Sequence, residues 1–214
     1  MLLFTSLAAV SVVWGSVSQN QTRYNPAIPG WHSDPSCVSV SEWNNTTYCT
    51  TSTFLLTPGL PVYASKDLVT LKLACHALSQ ETQYPGFFYI NVIYKNNILN
   101  NVTGLIFKTA DPYSDRAWSD PVRYDPKSID PDLFWDDGRT VCVAIAGTNL
   151  QMIDLKTGTV GISKQIWNGT TGTFLEGARL YKKDGHYYLM TAEGGSGMNH
   201  SVTIARLRNI MGPT

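Results

Sequence analysis

The sequence predicts an all-β fold, because short β-branched and aromatic runs alternate with Gly, Pro, Asn and Asp turns along most of the chain. Few segments show the apolar spacing that marks an amphipathic helix. Residues 154–158 and 182–186 have the composition of tight hairpin turns in which glycine supplies a positive φ angle. The periodicity of the sequence alone does not distinguish between a sandwich, a barrel and a propeller.

The predicted strands share a high content of β-branched and aromatic residues and are bounded by turn residues. In chain order they are residues 37–40, 48–54, 62–64, 88–94, 103–108, 133–135, 140–146, 151–154 and 187–192. Residues 42–45 predict the turn between the first two strands, and residues 136–138 predict another hairpin turn. The strands therefore fall into groups that resemble meanders.

The composition limits the partners of the chain. With 214 residues it can bury a core as one large domain or two small ones. Its 16 basic residues balance 16 acidic ones, which leaves no electrostatic footprint for nucleic acid or an anionic membrane. We therefore expect neither as a partner, and these features do not determine the oligomeric state.

The N-terminal segment predicts secretion. Residues 1–18 are an apolar run, too short to span a bilayer, that ends in small polar residues as a cleaved signal peptide does. Six Asn-X-Ser/Thr tripeptides suit a glycosylated extracellular protein, although such tripeptides also occur by chance. They begin at Asn20, Asn44, Asn45, Asn101, Asn168 and Asn199. We expect a secreted protein whose folded domain occupies residues 19–214.

The four cysteines allow three disulfide pairings. Cys37 and Cys49 flank the turn at residues 42–45, so a disulfide between neighbouring strands is plausible there. Cys75 and Cys142 have no metal-binding spacing, and buried free thiols are an ordinary alternative for them. No His/Cys/Asp cluster, phosphate loop or Gly-X-Ser-X-Gly motif is present in the sequence, so we expect cofactor-free chemistry.

Three short acidic motifs point to the chemistry. They are Ser33-Asp34-Pro35, Ile129-Asp130-Pro131 and Leu175-Glu176-Gly177. Glycoside cleavage needs one carboxylate to activate water, an acid to protonate the leaving oxygen, and often a third group that separates their protonation states. Each motif alone also fits an ordinary turn or a solvated carboxylate.

The wider sequence around these motifs resembles glycoside hydrolase family 43, in particular secreted fungal β-xylosidase and α-L-arabinofuranosidase-like members. The matching stretches are YNPAIPGWHSDPS at residues 24–36, PVYASKDL at 61–68, IDPDLFWDDG at 129–138, and EG through TAEGG at 176–195. They follow the family order. The resemblance implies a five-bladed β-propeller with a central site, and it extends over nearly all of the chain after residue 23.

The resemblance also implies individual roles. Asp34 takes the position of the general base that activates water for an inverting displacement, and Glu176 takes that of the general acid. Asp130 takes the position of the carboxylate that raises the pKa of the acid and orients it. Asp132, Asp136 and Asp137 are interpreted as turn and rim residues. Glu193 is as compatible with a structural or rim role as with a catalytic one.

Three further residues are candidates for substrate binding. Trp31 and His32 precede Asp34 and could line the sugar subsite by stacking and hydrogen bonding, with core packing as the alternative for Trp31. His200 stands where relatives often have a histidine near the propeller centre. The alternative interpretation of His200 is a surface histidine inside the Asn199 glycosylation tripeptide.

The chain departs from the family pattern in three places. Residues 83–87 lead almost directly into the next strand, where a Gly-Ile-Trp-Ala-Pro-like motif is typical. Ala178-Arg179 replaces a common Pro-His pair. At Thr214 roughly three blades have been completed, so the resemblance implies an incomplete propeller with little activity as written. A partial gene model, a fragment and a decayed copy all stay open.

The leading hypothesis is an inverting exo-glycosidase that releases xylose or arabinose from oligosaccharides of plant cell walls. The alternative is a catalytically inactive fragment or sugar-binding remnant of the same fold. A fructan- or sucrose-cleaving relative fits poorly, because those proteins carry Asn-Asp-Pro-Asn and Glu-Cys motifs in place of Ser33-Asp34-Pro35-Ser36 and Glu176-Gly177.

Overall fold

The computed structural model describes residues 25–53, 58–83, 103–137, 140–195 and 197–212. They fall into two compact units. Unit 1 comprises Met1–Asn91 and Phe107–Pro121, and unit 2 comprises Val92–Ile106 and Val122–Thr214. The proposed signal peptide and the predicted strand at residues 88–94 lie outside the described residues.

Unit 1 is built on one antiparallel sheet in which sequence neighbours pair in the order β1-β2-β3-β4. The strands are β1 (Ser33–Val40), β2 (Thr46–Ser52), β3 (Gly59–Ser65) and β4 (Lys72–Leu78). Its core contains Tyr48, Val62, Cys75 and Ala77, with Trp118 packed against them. Each connection is therefore a local hairpin, as in a meander.

The turn between β1 and β2 confirms the predicted hairpin. Asn44 and Asn45 both adopt positive φ angles, which asparagine tolerates better than most residues. Cys37 lies directly opposite Cys49 in the strand register, and the two form a disulfide. Cys75 and Cys142 are free and buried. The proposed pairing and the free-thiol alternative are thus both correct.

Unit 2 contains three antiparallel sheets, ordered β5-β6, β10-β9-β8-β7 and β11-β12-β13. Its strands are β5 (Gly104–Ile106), β6 (Val122–Tyr124), β7 (Asp132–Trp135), β8 (Val141–Ile145), β9 (Asn149–Met152), β10 (Lys164–Gln165), β11 (Leu175–Lys183), β12 (His186–Glu193) and β13 (Ser201–Leu207). One core cluster joins Phe134, Leu150, Leu180 and Leu189. Packing between β7–β9 and β11–β13 therefore fixes these two sheets against each other.

Two predicted hairpin turns of unit 2 are confirmed. In the first, Gly158 donates a 2.8 Å hydrogen bond to the Asp154 carbonyl and has φ +74°. A Cβ atom there would lie 2.0 Å from the Arg123 carbonyl oxygen, so only glycine fits. In the second, Asp184 and Gly185 both have positive φ angles between β11 and β12, as a type I′ turn requires.

The all-β prediction is confirmed for the described residues, but five strands were missed. They are β4, β6, β10, β11 and β13. The segment Leu175–Lys183 contains glycine and four charged residues, so its sequence lacks a clear strand pattern. It forms a strand because it pairs with β12 and buries Leu175, Ala178 and Leu180. The number of propeller blades stays a prediction.

Candidate active site

Asp34 lies at an irregularity of β1. The register between β1 and β2 shifts between Ser33 and Ser36, and Asp34 has φ +53°. Its side chain is exposed. A bulge redirects the side chains of an edge strand, and non-glycine residues with positive φ often mark functional positions. The backbone therefore presents this carboxylate to solvent in a constrained conformation.

His32 is held in place by contacts within unit 1. Its Nε2 lies 3.1 Å from the Pro29 carbonyl oxygen, and its Nδ1 lies 3.4 Å from the Thr51 hydroxyl. Its ring packs edge-on against Tyr63, with centroids 5.5 Å apart. Trp31 is 72% exposed, so the core-packing alternative for it is wrong. A wide aromatic surface is thus available next to Asp34 in sequence.

Asp130 contacts the segment that carries Glu176. The Gly177 amide donates a 3.1 Å hydrogen bond to Oδ2 of Asp130. Asp130 is exposed and has φ +58°, so both Asp-Pro motifs place their aspartate in the left-handed region. The residue before proline is normally driven to extended conformations. Tertiary contacts, and not the local backbone preference, therefore hold these two aspartates in the left-handed conformation.

The end of β8 anchors both acidic segments of unit 2. The Ala146 amide donates to the Ile129 carbonyl over 2.9 Å, and the next amide, of Gly147, donates to the Leu175 carbonyl over 2.7 Å. The accepting residues directly precede Asp130 and Glu176. Two consecutive amides thus fix the backbone directly before both candidate catalytic residues, and no sequence pattern predicts these bonds.

Glu176 is half-buried near the start of β11. The register between β11 and β12 shifts between Glu176 and Arg179, and Gly177 within this bulge has φ +56°. A Cβ atom on Gly177 would meet nothing within 4 Å, so the glycine serves the backbone conformation and not close packing. Glu176 is thus presented beside a bulge, as Asp34 is.

Asp132 contradicts the interpretation as a rim residue. Its Oδ1 lies 3.1 Å from Nη1 of Arg179, and the side chains are only 21% and 29% exposed, respectively. Burial raises the pKa of Asp132, and the positive charge of Arg179 opposes that rise. The Asp132 carboxylate is therefore a half-buried partner of β11, and alternation along β7 did not reveal this.

The Asp136 carboxylate also has hydrogen-bond partners within the protein. It accepts hydrogen bonds from the Tyr187 hydroxyl at 2.8 Å and from Lys182 at 3.0 Å. Burial acts to raise the pKa of Asp136, but these bonds, a bond from the Asp137 amide and the charge of Lys182 together lower the pKa below its usual value. Asp137 is exposed and pairs with Lys182, which agrees with a turn position.

Glu193 has a structural role in this site. Its side chain is buried at the end of β12 and accepts four hydrogen bonds. The donors are the amides of Thr170 and Thr171, at 2.8 and 2.6 Å, and their hydroxyls, at 2.9 and 2.7 Å. These bonds lower the pKa of Glu193 to about 2, the Thr171 amide contributing most. Glu193 therefore anchors the loop that leads into Glu176.

His200 is exposed, and its Nδ1 hydrogen-bonds to the Gly195 carbonyl oxygen. Its approach to the substrate stays a prediction. Asp34, Trp31 and His32 belong to unit 1, so their convergence with Asp130 and Glu176 of unit 2 also stays a prediction. Within the described ranges, no group of three or more His, Cys, Asp or Glu side chains is arranged to hold a metal ion.

Comparison with known proteins decides the family. Residues 23–214 match the family described as Glycosyl hydrolases family 43. The chain belongs to this family. A xylosidase/arabinosidase 43B of Humicola insolens is 35% identical over 224 residues, covering 88% of this chain and 41% of that protein. A non-reducing end alpha-L-arabinofuranosidase of Bacteroides ovatus is 35% identical over 222 residues, covering 92% and 41% respectively.

Solved structures of family 43 share the fold of the chain. The GH43 BlXynB protein from Bacillus licheniformis has a TM-score of 0.76 at 30% identity, over 89% of this chain and 42% of that one. A xylan beta-1,4-xylosidase from Bacillus halodurans has a TM-score of 0.70 at 28% identity, over 90% and 42% respectively. The chain spans about 41% of the length of the curated relatives cited above.

Sequence reasoning missed several residues that shape this family 43 site. Gly147, Thr170 and Thr171 act through backbone or hydroxyl groups, which leave little signal in a single sequence. Arg179 was noted only as a departure from the common Pro-His pair. Its opposite charge to Asp132 was a usable signal, but the 47-residue separation concealed the contact. No helix long and apolar enough to cross a membrane occurs among the residues described.

Proposed function

We propose that this chain carries the catalytic carboxylates of a glycoside hydrolase that cleaves xylo- or arabino-oligosaccharides with inversion. The hydrogen bond between Asp130 and the Gly177 amide is the main structural support, because it links the proposed modulator to the residue after the proposed acid. The names of the relatives, which include xylosidases and an arabinofuranosidase, support the substrate class.

The proposed reaction is a single displacement. Asp34 removes a proton from water as the water attacks the anomeric carbon, and Glu176 protonates the oxygen of the leaving sugar. The negative charge of Asp130 favours the protonated form of a nearby acid, since like charges disfavour ionisation. Inversion requires a water between base and sugar, so we expect the Asp34 and Glu176 carboxyl groups to lie roughly 6.5–9.5 Å apart.

Substrate binding is assigned to residues beside the proposed base. Trp31 is 72% exposed, and sugars stack on exposed aromatic rings through their apolar C–H groups. His32 is oriented by Pro29 and Thr51 and can hydrogen-bond a hydroxyl once one of those contacts is exchanged. His200 is proposed as a further binding residue. No cofactor is assigned to the reaction.

We also propose that the protein is secreted. The Cys37–Cys49 disulfide is of a kind that persists in oxidising compartments. Four of the six glycosylation tripeptides begin at residues that the structure describes, namely Asn44, Asn45, Asn168 and Asn199, and all four are exposed. Each could therefore carry a glycan without disturbing the core.

The test compares two variants on two kinds of substrate. Glu176→Ala should lower kcat by about 10²–10⁴-fold on a glycoside with a poor leaving group, and by much less on an activated aryl glycoside, which needs little protonation. Asp34→Ala should lower kcat on both, because water must be activated in either case. Aryl β-xyloside and aryl α-arabinofuranoside are both assayed to distinguish the two specificities.

The matched control is Glu81→Ala, which removes an exposed carboxylate from unit 1 and should leave kcat unchanged. Equal losses for Glu176→Ala on both leaving groups would remove Glu176 from the role of acid. NMR detection of the first-formed sugar anomer tests inversion directly. Because little activity is expected of the chain as written, the assay uses a high protein concentration. Sugar binding with no turnover above the rate in buffer alone would overturn the proposal in favour of the sugar-binding remnant.

A further inference from the structure

A second aspartate of the same motif contacts β11 close to Glu176. In Asp130-Pro131-Asp132, the first carboxylate accepts from the Gly177 amide, and the second contacts Arg179 and Leu180. The distances for Asp132 are 3.1 Å from Oδ1 to Nη1 of Arg179 and 3.4 Å from Oδ2 to the Leu180 amide. Both carboxylates therefore reach the segment that follows Glu176.

This segment lacks regular pairing with its neighbour. Glu176 pairs with Ala192 and Arg179 pairs with Met190, but Gly177 and Ala178 have no register partner on β12. A bulge disrupts the ladder locally and leaves the direction of adjacent side chains to other contacts. Ala178 is buried in the core, and Asp130 and Asp132 hold the residues on either side of it. Contacts from Asp130, just before β7, and from Asp132, its first residue, thus take the place of the β11–β12 pairing that is missing at the bulge.

The Asp132–Arg179 pair is suited to fixing this geometry. Both side chains are more than two-thirds buried, so solvent screens their attraction less than it screens that of an exposed pair. Removing one partner would take away the opposite charge that faces a mostly buried charged group. By contrast, among the described residues the other ion pairs between this part of the chain and β11 use Lys182, six residues after Glu176. One of its partners, Asp137, is 84% exposed.

We propose that Asp132 and Arg179 form a positioning pair that fixes the bulge at residues 177–178 and thereby the direction of the Glu176 side chain. Its catalytic meaning rests on the proposed function, but the structural claim does not. Neither residue is assigned a contact with substrate. The pair acts through the backbone of the bulge, and so the Gly177 amide is the direct reporter of its effect.

The experiment measures the Gly177 amide by hydrogen exchange in the whole chain. Asp132→Ala and Arg179→Met should each accelerate its exchange by at least about ten-fold, since the bulge then opens more often. The double variant should be no worse than either single variant, because the two residues act as a unit. Amides in the centre of β12 and β13 should keep their protection, which shows that the fold is retained.

Lys182→Met is the matched control. It removes two ion pairs from the same strand but away from the bulge, so the Gly177 amide should exchange as in the unaltered chain. Faster exchange of Gly177 in this control as well would show a general loosening of β11 and overturn the proposal. Unchanged exchange in Asp132→Ala and Arg179→Met would also overturn it, whatever the activity of the protein.

Kinetics test the catalytic consequence separately. In an active preparation, Arg179→Met should lower kcat on a poor leaving group by about 10–100-fold with little change in KM, and by less on an activated aryl glycoside. An equal loss on both leaving groups would overturn the link to Glu176. If the unaltered chain has no activity but Gly177 responds as expected, the proposed function fails while the positioning pair is supported.

Discussion

The Asp130 carboxylate accepts a 3.1 Å hydrogen bond from the Gly177 amide, 47 residues further along the chain. The bond connects the Asp-Pro motif before β7 to the bulge of β11. Adjacent amides of Ala146 and Gly147 bind the carbonyls that precede Asp130 and Glu176. Two acidic motifs that are distant in sequence are thereby brought together by one backbone arrangement.

Two substitutions of Asp130 should distinguish the effect of its charge from the effect of its hydrogen bond. Asp130→Asn keeps an acceptor for Gly177, so the exchange rate of that amide should change by less than about two-fold, whereas Asp130→Ala should accelerate it about ten-fold or more. Exchange that is as fast in Asp130→Asn as in Asp130→Ala would show that an acceptor atom alone does not hold the amide.

Glu193 should make folding stability depend on pH. The pKa of Glu193 is about 2, below its ordinary value of 4.5, because hydrogen bonds favour the ionised form in the folded state. Its contribution is therefore fully present above about pH 4.5 and is lost as the pH falls towards 2. Glu193→Gln should lower stability at neutral pH and reduce the slope between these values. Urea unfolding across this range measures both effects.

The control for that experiment is Glu81→Gln, which alters an exposed carboxylate and should leave the slope unchanged. The difference between the unaltered chain and Glu193→Gln is what matters, since other carboxylates also titrate in this range. A parallel loss of stability at every pH, with no change of slope, would contradict the assignment of the ionised state to Glu193.

Gly169 should tolerate a side chain less well than Gly172. Both have positive φ angles, +78° and +70°, so alanine is strained by about 1–2 kcal/mol at either position. A Cβ atom at Gly169 would also lie 2.7 Å from Oε1 of Glu193, whereas at Gly172 it would meet nothing within 4 Å. Gly169→Ala should therefore destabilise the chain by at least about 1 kcal/mol more than Gly172→Ala. Equal free energies of unfolding for the two variants would show that the Glu193 side chain can move away from the added Cβ atom at little cost.

The thiols should be labelled in two separate steps. Cys37 and Cys49 are bonded, while Cys75 and Cys142 are free but buried. Alkylation in denaturant without reductant should modify only Cys75 and Cys142, and prior reduction should add the other two. Burial raises the pKa of both free thiols, so neither should react readily in the folded protein. Mass spectrometry of the labelled peptides assigns each site.

The candidate catalytic residues could be proposed from the sequence because they belong to short contiguous motifs, and their roles stay predictions. Asp34, Asp130 and Glu176 were identified in this way, and the Cys37–Cys49 pairing followed from a turn that two asparagines mark. Hairpins form between neighbours in the chain, so local turn chemistry is sufficient to predict them. Clear hairpin signals at residues 154–158 and 182–186 were confirmed for the same reason.

Only the tertiary structure decided what the neighbouring charged residues do. Asp132 was expected at the rim and pairs with Arg179, and Glu193 was equally compatible with catalysis until four hydrogen bonds showed that it anchors a loop. The strand Leu175–Lys183 was missed because its own sequence favours no strand and its pairing with β12 supplies the stability. A carboxylate looks the same in sequence whether its partner is a substrate, an arginine or a backbone amide, and long-range packing determines which of these it meets.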